Sequence, residues 1–454
     1  MALPRAGFAG KRVTVVGLAR SGVAVSNLLH SLGASVTVTD LRPASELAAQ
    51  AENLSPGINR VFGSHPDRLF TGTDLVVVSP GVPADAPPLA AARRAGIEVI
   101  GELEVAYMVS DSPFIAITGT NGKSTTTTLV GLMLEGSGLN VFVGGNLGNA
   151  LTEEPGMLMG KDYIVAEVSS FQLDATKNFR PRISAILNIT QDHLDRYAGM
   201  GEYTASKARV FMNQGDGDLL LLNADDPPTI ALKGGARCGV MSFSTKGRVG
   251  FGAYVKDGTL VYAPGDGSEN VILPAGEIAI KGAHNLENAL AAAAISLAAG
   301  ASVAATAKVL RDFTGLEHRM EFVREFCGVT YINDSKGTNV GAVEKSLEGF
   351  DRPVILIAGG LDKHSDFSIL AGAVRKRVKK LILIGKAAGA MEDALGSATE
   401  TVRAGFSLED AVRLARESAA PGDVVLLSPA CASFDMFRDF EDRGRQFKEM
   451  VGKL

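Results

Sequence analysis

The chain has little that would suit a secreted, membrane-embedded or nucleic-acid-binding protein. Its 454 residues include three cysteines, Cys238, Cys327 and Cys431, none in Cys-x-x-Cys spacing. An odd number of widely spaced thiols excludes a zinc ribbon and suits a reducing compartment better than a disulfide scaffold. No charge-free run of about 20 apolar residues occurs, and Met1 to Gly10 lacks the apolar stretch of a secretory leader. No membrane insertion is expected, and the expected location is the cytoplasm. The formal net charge is −5, and Lys and Arg read as scattered rather than gathered into a basic stripe. Nucleic acid and anionic membrane surfaces are therefore not expected partners.

What is present is a repeated alternation of short β-branched or Leu-rich runs with Ala-rich helical stretches, the pattern of parallel sheets covered by helices. The fold class is α/β. At on the order of 100–200 residues per domain, three domains are expected: residues 1–101, 102–315 and 316–454. The first opens with strand Arg12–Gly17, a Gly-containing turn, a helix through Leu32 and strand Ser35–Asp40. The second carries candidate buried strands at Phe114–Gly119, Asn140–Gly144, Tyr163–Val168, Ser184–Ile189 and Asp218–Asn223. The third carries Val329–Asn333, Val354–Gly359, Leu381–Gly385 and Val424–Ser428. The first and third domains read as Rossmann-like, and the central one as a phosphate-loop nucleotide-binding domain with a mainly parallel sheet.

The central reading rests on Phe114-Ile-Ala-Ile-Thr-Gly-Thr-Asn-Gly-Lys-Ser-Thr, an apolar strand passing through Gly119 and Gly122 into Lys123, Ser124 and a helix-compatible stretch. Small residues let backbone N–H groups turn toward an oxyanion, and the helix N-terminus adds positive potential. Lys123 supplies a point charge, and the Ser124 hydroxyl can reach Mg²⁺. Ile117 stands where the full eight-residue pattern wants glycine, so the loop is a shortened variant. ATP binding is expected. Gly17-Leu-Ala-Arg-Ser-Gly22 in the first domain precedes Asp40 at roughly the ribose-binding distance of a dinucleotide fold. Ala19 replaces the middle glycine, which leaves a packing turn and a dinucleotide site as open alternatives. Downstream of the phosphate loop, Glu167 lies near the C-terminal end of one strand, and Asp192 and His193 follow the next, where ligands of open α/β sheets collect. Lys207 lies in a polar stretch where a solvated lysine is the default.

With Gly119-Thr-Asn-Gly-Lys-Ser-Thr125, Glu167-Val-Ser-Ser170, Asn188–Asp195, His284-Asn-Leu-Glu-Asn288 and His318-Arg319 in this order, the chain resembles the Mur ligase family over nearly its whole length. Asn333–Asn339, Gly359–Lys363 and Ser428–Asp435, continuing to Phe440 and Arg443-Gly444, look like the members that add D-glutamate. The Asp-Asn-Pro-Arg signature of the diaminopimelate- or lysine-adding members is absent from the third domain.

The resemblance implies an ATP-dependent amide-forming ligase that joins D-glutamate to UDP-N-acetylmuramoyl-L-alanine in peptidoglycan synthesis, through an acyl phosphate and a tetrahedral intermediate. It places the UDP substrate at Arg20, Ser21, Leu41, Arg42, Ser79 and Gly81, with Asn146 and Ser169 facing the muramoyl-alanine end. ATP falls to Gly119, Thr120, Asn121, Gly122, Lys123, Ser124 and Thr125, with Asn288, Arg319 and Asp334. D-glutamate falls to Thr338, Lys363, Ser433, Phe434 and Phe440. Lys123, Glu167, His193, Lys207 and Arg319 are the implied catalytic set. Two Mg²⁺ ions are implied, on Ser124, Glu167, His193 and a carbamylated Lys207. A monomer is expected. Folylpolyglutamate synthase, a related enzyme with the same shortened loop, is the nearest alternative, and an NAD-dependent reductase using Gly17, Gly22 and Asp40 is the alternative from another class.

Overall fold

The computed structural model describes residues 7–147, 150–193, 196–362 and 365–454. Its three sheets carry the three α/β domains expected. The first contains β1 (Arg12–Val16), β2 (Ser35–Asp40), β3 (Asn59–Phe62), β4 (Leu75–Val78) and β5 (Val99–Gly101), in the order β3-β2-β1-β4-β5 and parallel throughout. The second contains β6 (Phe114–Thr118), β7 (Val141–Gly145), β8 (Tyr163–Glu167), β9 (Ile183–Ile186), β10 (Leu219–Asn223), β11 (Gly239–Ser244), β12 (Phe251–Lys256), β13 (Thr259–Pro264) and β14 (Asn270–Pro274). Its order is β14-β13-β12-β11-β10-β9-β6-β8-β7, parallel from β7 to β12 and antiparallel beyond.

The third sheet contains β15 (Glu321–Phe326), β16 (Val329–Asn333), β17 (Val354–Gly359), β18 (Val378–Ile384), β19 (Glu400–Gly405) and β20 (Val424–Leu427), in the order β15-β16-β20-β17-β18-β19. Only its edge strand β15 is antiparallel. Strand β17 shows why such runs read as continuously apolar: Val354, Leu356 and Ala358 enter one core, and Ile355 and Ile357 enter the other. A parallel strand covered by helices has no solvent face on which to place polar residues.

Compactness divides the chain into two units. One comprises residues up to Ile189, Gly201–Glu277 and Glu287–Arg311; the other comprises Thr190–Met200, Ile278–Leu286 and Asp312–Leu454. The boundary expected near residue 101 thus falls inside the first unit. Thr190–Met200 and Ile278–Leu286, both within the expected central domain 102–315, group with the third sheet.

The scattered reading of Lys and Arg needs one correction, because Arg375, Lys376, Arg377, Lys379 and Lys380 run together from the end of helix Ala371–Arg377 into β18. Three of these five are ion-paired: Arg377 with Asp351 at 3.7 Å, Lys379 with Asp423 at 2.8 Å and Lys380 with Glu400 at 2.8 Å. Among the described residues no helix is long and apolar enough to cross a membrane.

Within the first unit, helix Glu102–Val109 joins the first sheet to the second and carries two buried carboxylates. Glu102 accepts from the backbone N–H and the hydroxyl of Thr152, at 2.8 and 3.0 Å. Burial raises its pKa against those bonds. Glu104 accepts three successive backbone N–H groups, from Lys177 at 2.9 Å, Asn178 at 2.8 Å and Phe179 at 3.1 Å. Both carboxylates therefore stitch the helix that follows β5 to loops of the second domain. Glu104→Ala would leave three amides without their acceptor, and we expect it to cost about 3 kcal/mol of stability. Urea unfolding of the full chain measures this, together with hydrogen exchange at 177–179; unchanged stability would remove Glu104 from this role.

Candidate active site

The phosphate loop is built from the register of the second sheet. Pairing sets Ile117 beside Glu167, Thr118 beside Ile186 and Gly145 beside Glu167. The C-terminal ends of β6, β7, β8 and β9 therefore meet at one edge, the edge at which parallel sheets bind ligands. After β6 the chain turns through Gly122 at φ +83°, a left-handed conformation, directly into helix Lys123–Glu135. A Cβ at Gly122 would lie 2.2 Å from Asn288 Oδ1, so that carboxamide packs onto the loop and only glycine fits. No side chain caps this helix, whose N-terminus and backbone suit an anion.

The loop is clamped from below by Asn188. Its Oδ1 accepts the Asn121 N–H at 2.8 Å, its Nδ2 donates to the Asn121 carbonyl at 3.1 Å, and its own carbonyl accepts the Thr120 N–H at 2.9 Å. The hydroxyls of Thr120 and Tyr203 lie 3.3 Å apart. Lys123 Nζ donates to the carbonyls of Gly119 and Thr120 at 2.9 and 2.8 Å. Lys207 is not solvated. It is 1% exposed, donates to the same Gly119 carbonyl at 2.9 Å, and sits 4.4 Å from the centre of the Tyr203 ring. Asn188 and Tyr203 carry this scaffold without having been singled out from the sequence. The doubled Asn188–Asn121 bond needs tertiary structure to be seen.

Glu167 ends β8 at this edge. Its Oε1 accepts from Asn146 Nδ2 at 2.7 Å, while its buried Oε2 has no hydrogen-bond partner among the described residues. An orphaned buried carboxylate oxygen on the strand beside β6, whose loop leads to the buried Ser124 hydroxyl, offers the oxygen donors a hard divalent cation takes, so Mg²⁺ fits Glu167 and Ser124. Ser169 N-caps the short helix Ser170–Asp174 in a capping box with Gln172. Asn146 and Ser169 thus stand at the same edge as the loop.

The remaining expected UDP residues lie at the C-terminal edge of the first sheet. Arg20 and Ser21 open helix Arg20–Ser31, Leu41 and Arg42 follow β2, and Ser79 and Gly81 follow β4. Arg20 Nε pairs with Glu153 Oε2 at 2.9 Å, and Leu41 is exposed. The Ser79 hydroxyl donates to the Gly17 carbonyl at 2.9 Å. Asp40, the residue a dinucleotide reading needs, is buried and engaged: it accepts from the Leu18 N–H at 2.8 Å and from Arg42 Nη2 at 2.8 Å. Burial opposes its charge, but the Arg42 and Leu18 bonds win and hold its pKa at about 2. The glycine turn is thereby a packed, internally bonded turn, and the reductase alternative loses its ribose ligand.

In the second unit, Thr338, Ser433 and Phe440 come together at the C-terminal edge of the third sheet. Buried Arg443 ties their loops: Nε donates to Ser335 Oγ at 2.9 Å, Nη2 to the Ser335 carbonyl at 2.8 Å and Nη1 to the Cys431 carbonyl at 3.3 Å. The Phe440 ring meets the Lys336 ammonium at 5.1 Å and His318 edge-on. Phe434 is exposed, and Lys363 lies outside the described residues. Asp334, expected at a ribose, is fully buried, and its oxygens accept from Ser428 at 2.7 Å, Ser346 at 2.8 Å and the Met320 N–H at 3.2 Å. Burial raises its pKa against those bonds. Arg319 follows His318, which has φ +63°. His193 belongs to this unit as well.

Three family models match successive stretches of the chain: "Mur ligase MurD-like, N-terminal domain" over residues 11–101, "Mur ligase middle domain" over 117–296 and "Mur ligase, glutamate ligase domain" over 318–431. A UDP-N-acetylmuramoylalanine–D-glutamate ligase of Pelotomaculum thermopropionicum is 48% identical over 449 residues, 98% of each chain. The chain belongs to the Mur ligase family. Another Mur ligase of the same name, from Geotalea daltonii, is 47% identical over 98% of both chains. Among solved structures, a pseudomurein peptide ligase type C from Methanothermus fervidus shares the fold, with TM-score 0.62 and 20% identity over 98% of this chain and 100% of that one.

Two outcomes follow from this geometry. Lys123→Ala should lower turnover at least about hundredfold with little change in thermal stability, the outcome expected of a charge that serves transferred phosphate rather than a core; near-normal turnover would sink the phosphate-loop assignment. His284 is one pH-sensitive group: burial, with Arg319 and Lys345 nearby, pushes it down to about 4. Unfolded, it would titrate near 6.5, so its contribution is complete above pH 6.5 and is lost as pH falls from there to 4, roughly 3 kcal/mol in all. His284→Gln should shrink the difference in unfolding free energy between pH 7 and pH 4 by that amount; an unchanged difference would contradict neutral burial.

Proposed function

We propose that this chain joins D-glutamate to UDP-N-acetylmuramoyl-L-alanine at the expense of ATP, in peptidoglycan precursor synthesis. The observation that carries the reading is the near-half identity, end to end, with relatives bearing that activity in their name, on a chain whose phosphate loop is sound in geometry. The L-alanyl carboxylate attacks the γ-phosphate of ATP, breaking its bond to ADP and forming an acyl phosphate. The D-glutamate amine then attacks the activated carbonyl, a tetrahedral intermediate forms, phosphate departs, and the amide remains as the amine proton is lost.

In this reading Lys123 and the loop N–H groups of Asn121 to Thr125 hold the β- and γ-phosphates and stabilise charge as the phosphoryl group moves. Asn288, packed on Gly122, is assigned to the base, and Arg319 and Asp334 remain proposed nucleotide ligands. Asn146, held to Glu167, and Ser169 would orient the L-alanyl carboxylate. Arg20, Ser21, Leu41, Arg42, Ser79 and Gly81 would take the UDP portion, and Thr338, Lys363, Ser433, Phe434 and Phe440 the incoming dicarboxylate. His193 would stabilise the oxyanion of the tetrahedral intermediate.

Magnesium on Ser124 and Glu167, with a second ion for which His193 and Lys207 are proposed ligands, would neutralise phosphate charge. Lys207 suits that role only as a carbamate, because an ammonium repels a cation while CO₂ addition gives an anionic oxygen group. Its support is the burial of a lysine at the phosphate loop. A ¹³C carbamate resonance from labelled bicarbonate, lost in Lys207→Arg, would bear this out, and none in the unaltered chain would end it. The cytoplasm is the proposed location, in keeping with three cysteines that lack Cys-x-x-Cys spacing, and a monomer the proposed state.

Phosphate release with UDP-N-acetylmuramoyl-L-alanine, ATP and Mg²⁺ tests the whole reading. We expect release with D-glutamate and not with L-glutamate, L-alanine or meso-diaminopimelate. Turnover with another acceptor would leave the ligase chemistry and overturn the acceptor, and turnover only with a folate substrate would transfer the chain to the folate-type ligases.

A further inference from the structure

Asp192 and Asn339 have no role in the mechanism above, yet they join two segments that it uses. Asn339 directly follows Thr338 and is the N-cap of helix Val340–Glu348, its Oδ1 accepting the Ala342 N–H at 2.8 Å. That cap fixes which way the carboxamide points, because only its oxygen can accept. The NH₂ is thereby aimed at Asp192, and Nδ2 donates to Asp192 Oδ2 at 3.2 Å. The other carboxylate oxygen, Oδ1, accepts the N–H of His193 at 2.9 Å.

His193 needs such a hold. Its φ is +55°, a left-handed conformation uncommon outside glycine. Its carbonyl turns back to accept the N–H groups of Arg196 and Tyr197 at 2.9 and 3.2 Å. Its Nε2 lies 3.7 Å from Asp192 Oδ2. A backbone held in a sparsely populated region persists only where its surroundings over-determine it. Here the surroundings include the Asp192 carboxylate, which is held in turn by the cap of a helix beginning beside the expected acceptor residue Thr338.

We propose that Asn339 is a positioning residue for His193: through Asp192, the cap of the acceptor-side helix sets the turn on which the histidine is carried. The inference rests on the ligase reading above for what His193 does, but not for how it is held. Capping alone does not explain the arrangement, since aspartate would cap equally well without donating to Asp192. The amide accepts from the helix through its oxygen and donates to the carboxylate through its nitrogen, two separate atoms that span the cap and Asp192 at once.

Asn339→Asp separates the two roles. It keeps an N-cap oxygen, so melting temperature should hold, but it sets a second carboxylate against Asp192. We expect kcat with D-glutamate to fall about tenfold or more while KM for ATP stays unchanged, and hydrogen exchange over residues 190–200 to quicken in the protein without substrates. Combining Asn339→Asp with Asp192→Asn reverses donor and acceptor across the pair. That double variant should slow exchange again and recover at least about fivefold in kcat over the single variant, the non-additivity of a direct contact. Wild-type kcat and exchange in Asn339→Asp, or a double variant no better than the single one, would overturn the proposal. Failure of the unaltered chain to use D-glutamate would overturn the function instead, while the exchange measurements would still decide the role of Asn339.

Discussion

The carbonyl oxygen of Gly119 accepts from two ammonium groups, Lys123 and Lys207, each at 2.9 Å. Much of the first unit's site follows from placing two cations on one dipole. A buried ammonium costs several kcal/mol unless it is compensated, and here the compensation is a carbonyl on one side and, for Lys207, the face of the Tyr203 ring on the other. In the proposed site, phosphate oxygens arriving at the loop would meet Lys123 and backbone N–H groups already fixed in place, which is the condition for electrostatic stabilisation without reorganisation. Asn188 is the reason the dipole stays put, since its bonds to Thr120 and Asn121 hold the loop that turns the Gly119 carbonyl inward.

The first sheet is tied to this site by charge rather than by apolar packing alone. Glu104 gathers three amides that follow helix Ser170–Asp174, the helix capped by Ser169; Glu102 gathers Thr152, next to the Glu153 that pairs with Arg20. A carboxylate accepting several backbone N–H groups fixes direction as well as distance, which apolar contact does not. One eight-residue helix can in this way register the first sheet against the loops of the second.

The sequence was legible where local chemistry dictates structure and opaque where tertiary pairing does. Parallel strands such as β6 and β17 announce themselves as apolar runs because both faces are covered, and the loop from Gly119 to Ser124 is readable because glycine, lysine and serine must come in that order. The antiparallel strands β12 to β14 went unread although a signal existed. Asp257-Gly258, both at positive φ, form the two-residue turn between Lys256 and Thr259, and Asp-Gly between alternating residues marks a hairpin. Lys207 illustrates the opposite case: nothing in its polar neighbourhood indicates a side chain 1% exposed. The grouping of Thr190–Met200 with the third sheet was equally invisible, since it depends on contacts far along the chain.

The third sheet solves its own positioning problem with a buried cation. Burial pushes the Arg443 guanidinium down only to about 10, so it stays charged at neutral pH despite 0% exposure. An apolar residue of similar volume there could be as stabilising, so stability alone does not account for an arginine. What an apolar residue could not do is donate to Ser335 and to Cys431 simultaneously. Those two carbonyls belong to loops that leave neighbouring strands, β16 and β20, and the loops carry Thr338 on one side and Ser433 on the other. Removing the guanidinium would free each loop to relax separately, so its buried charge specifies the distance between two halves of an expected dicarboxylate pocket.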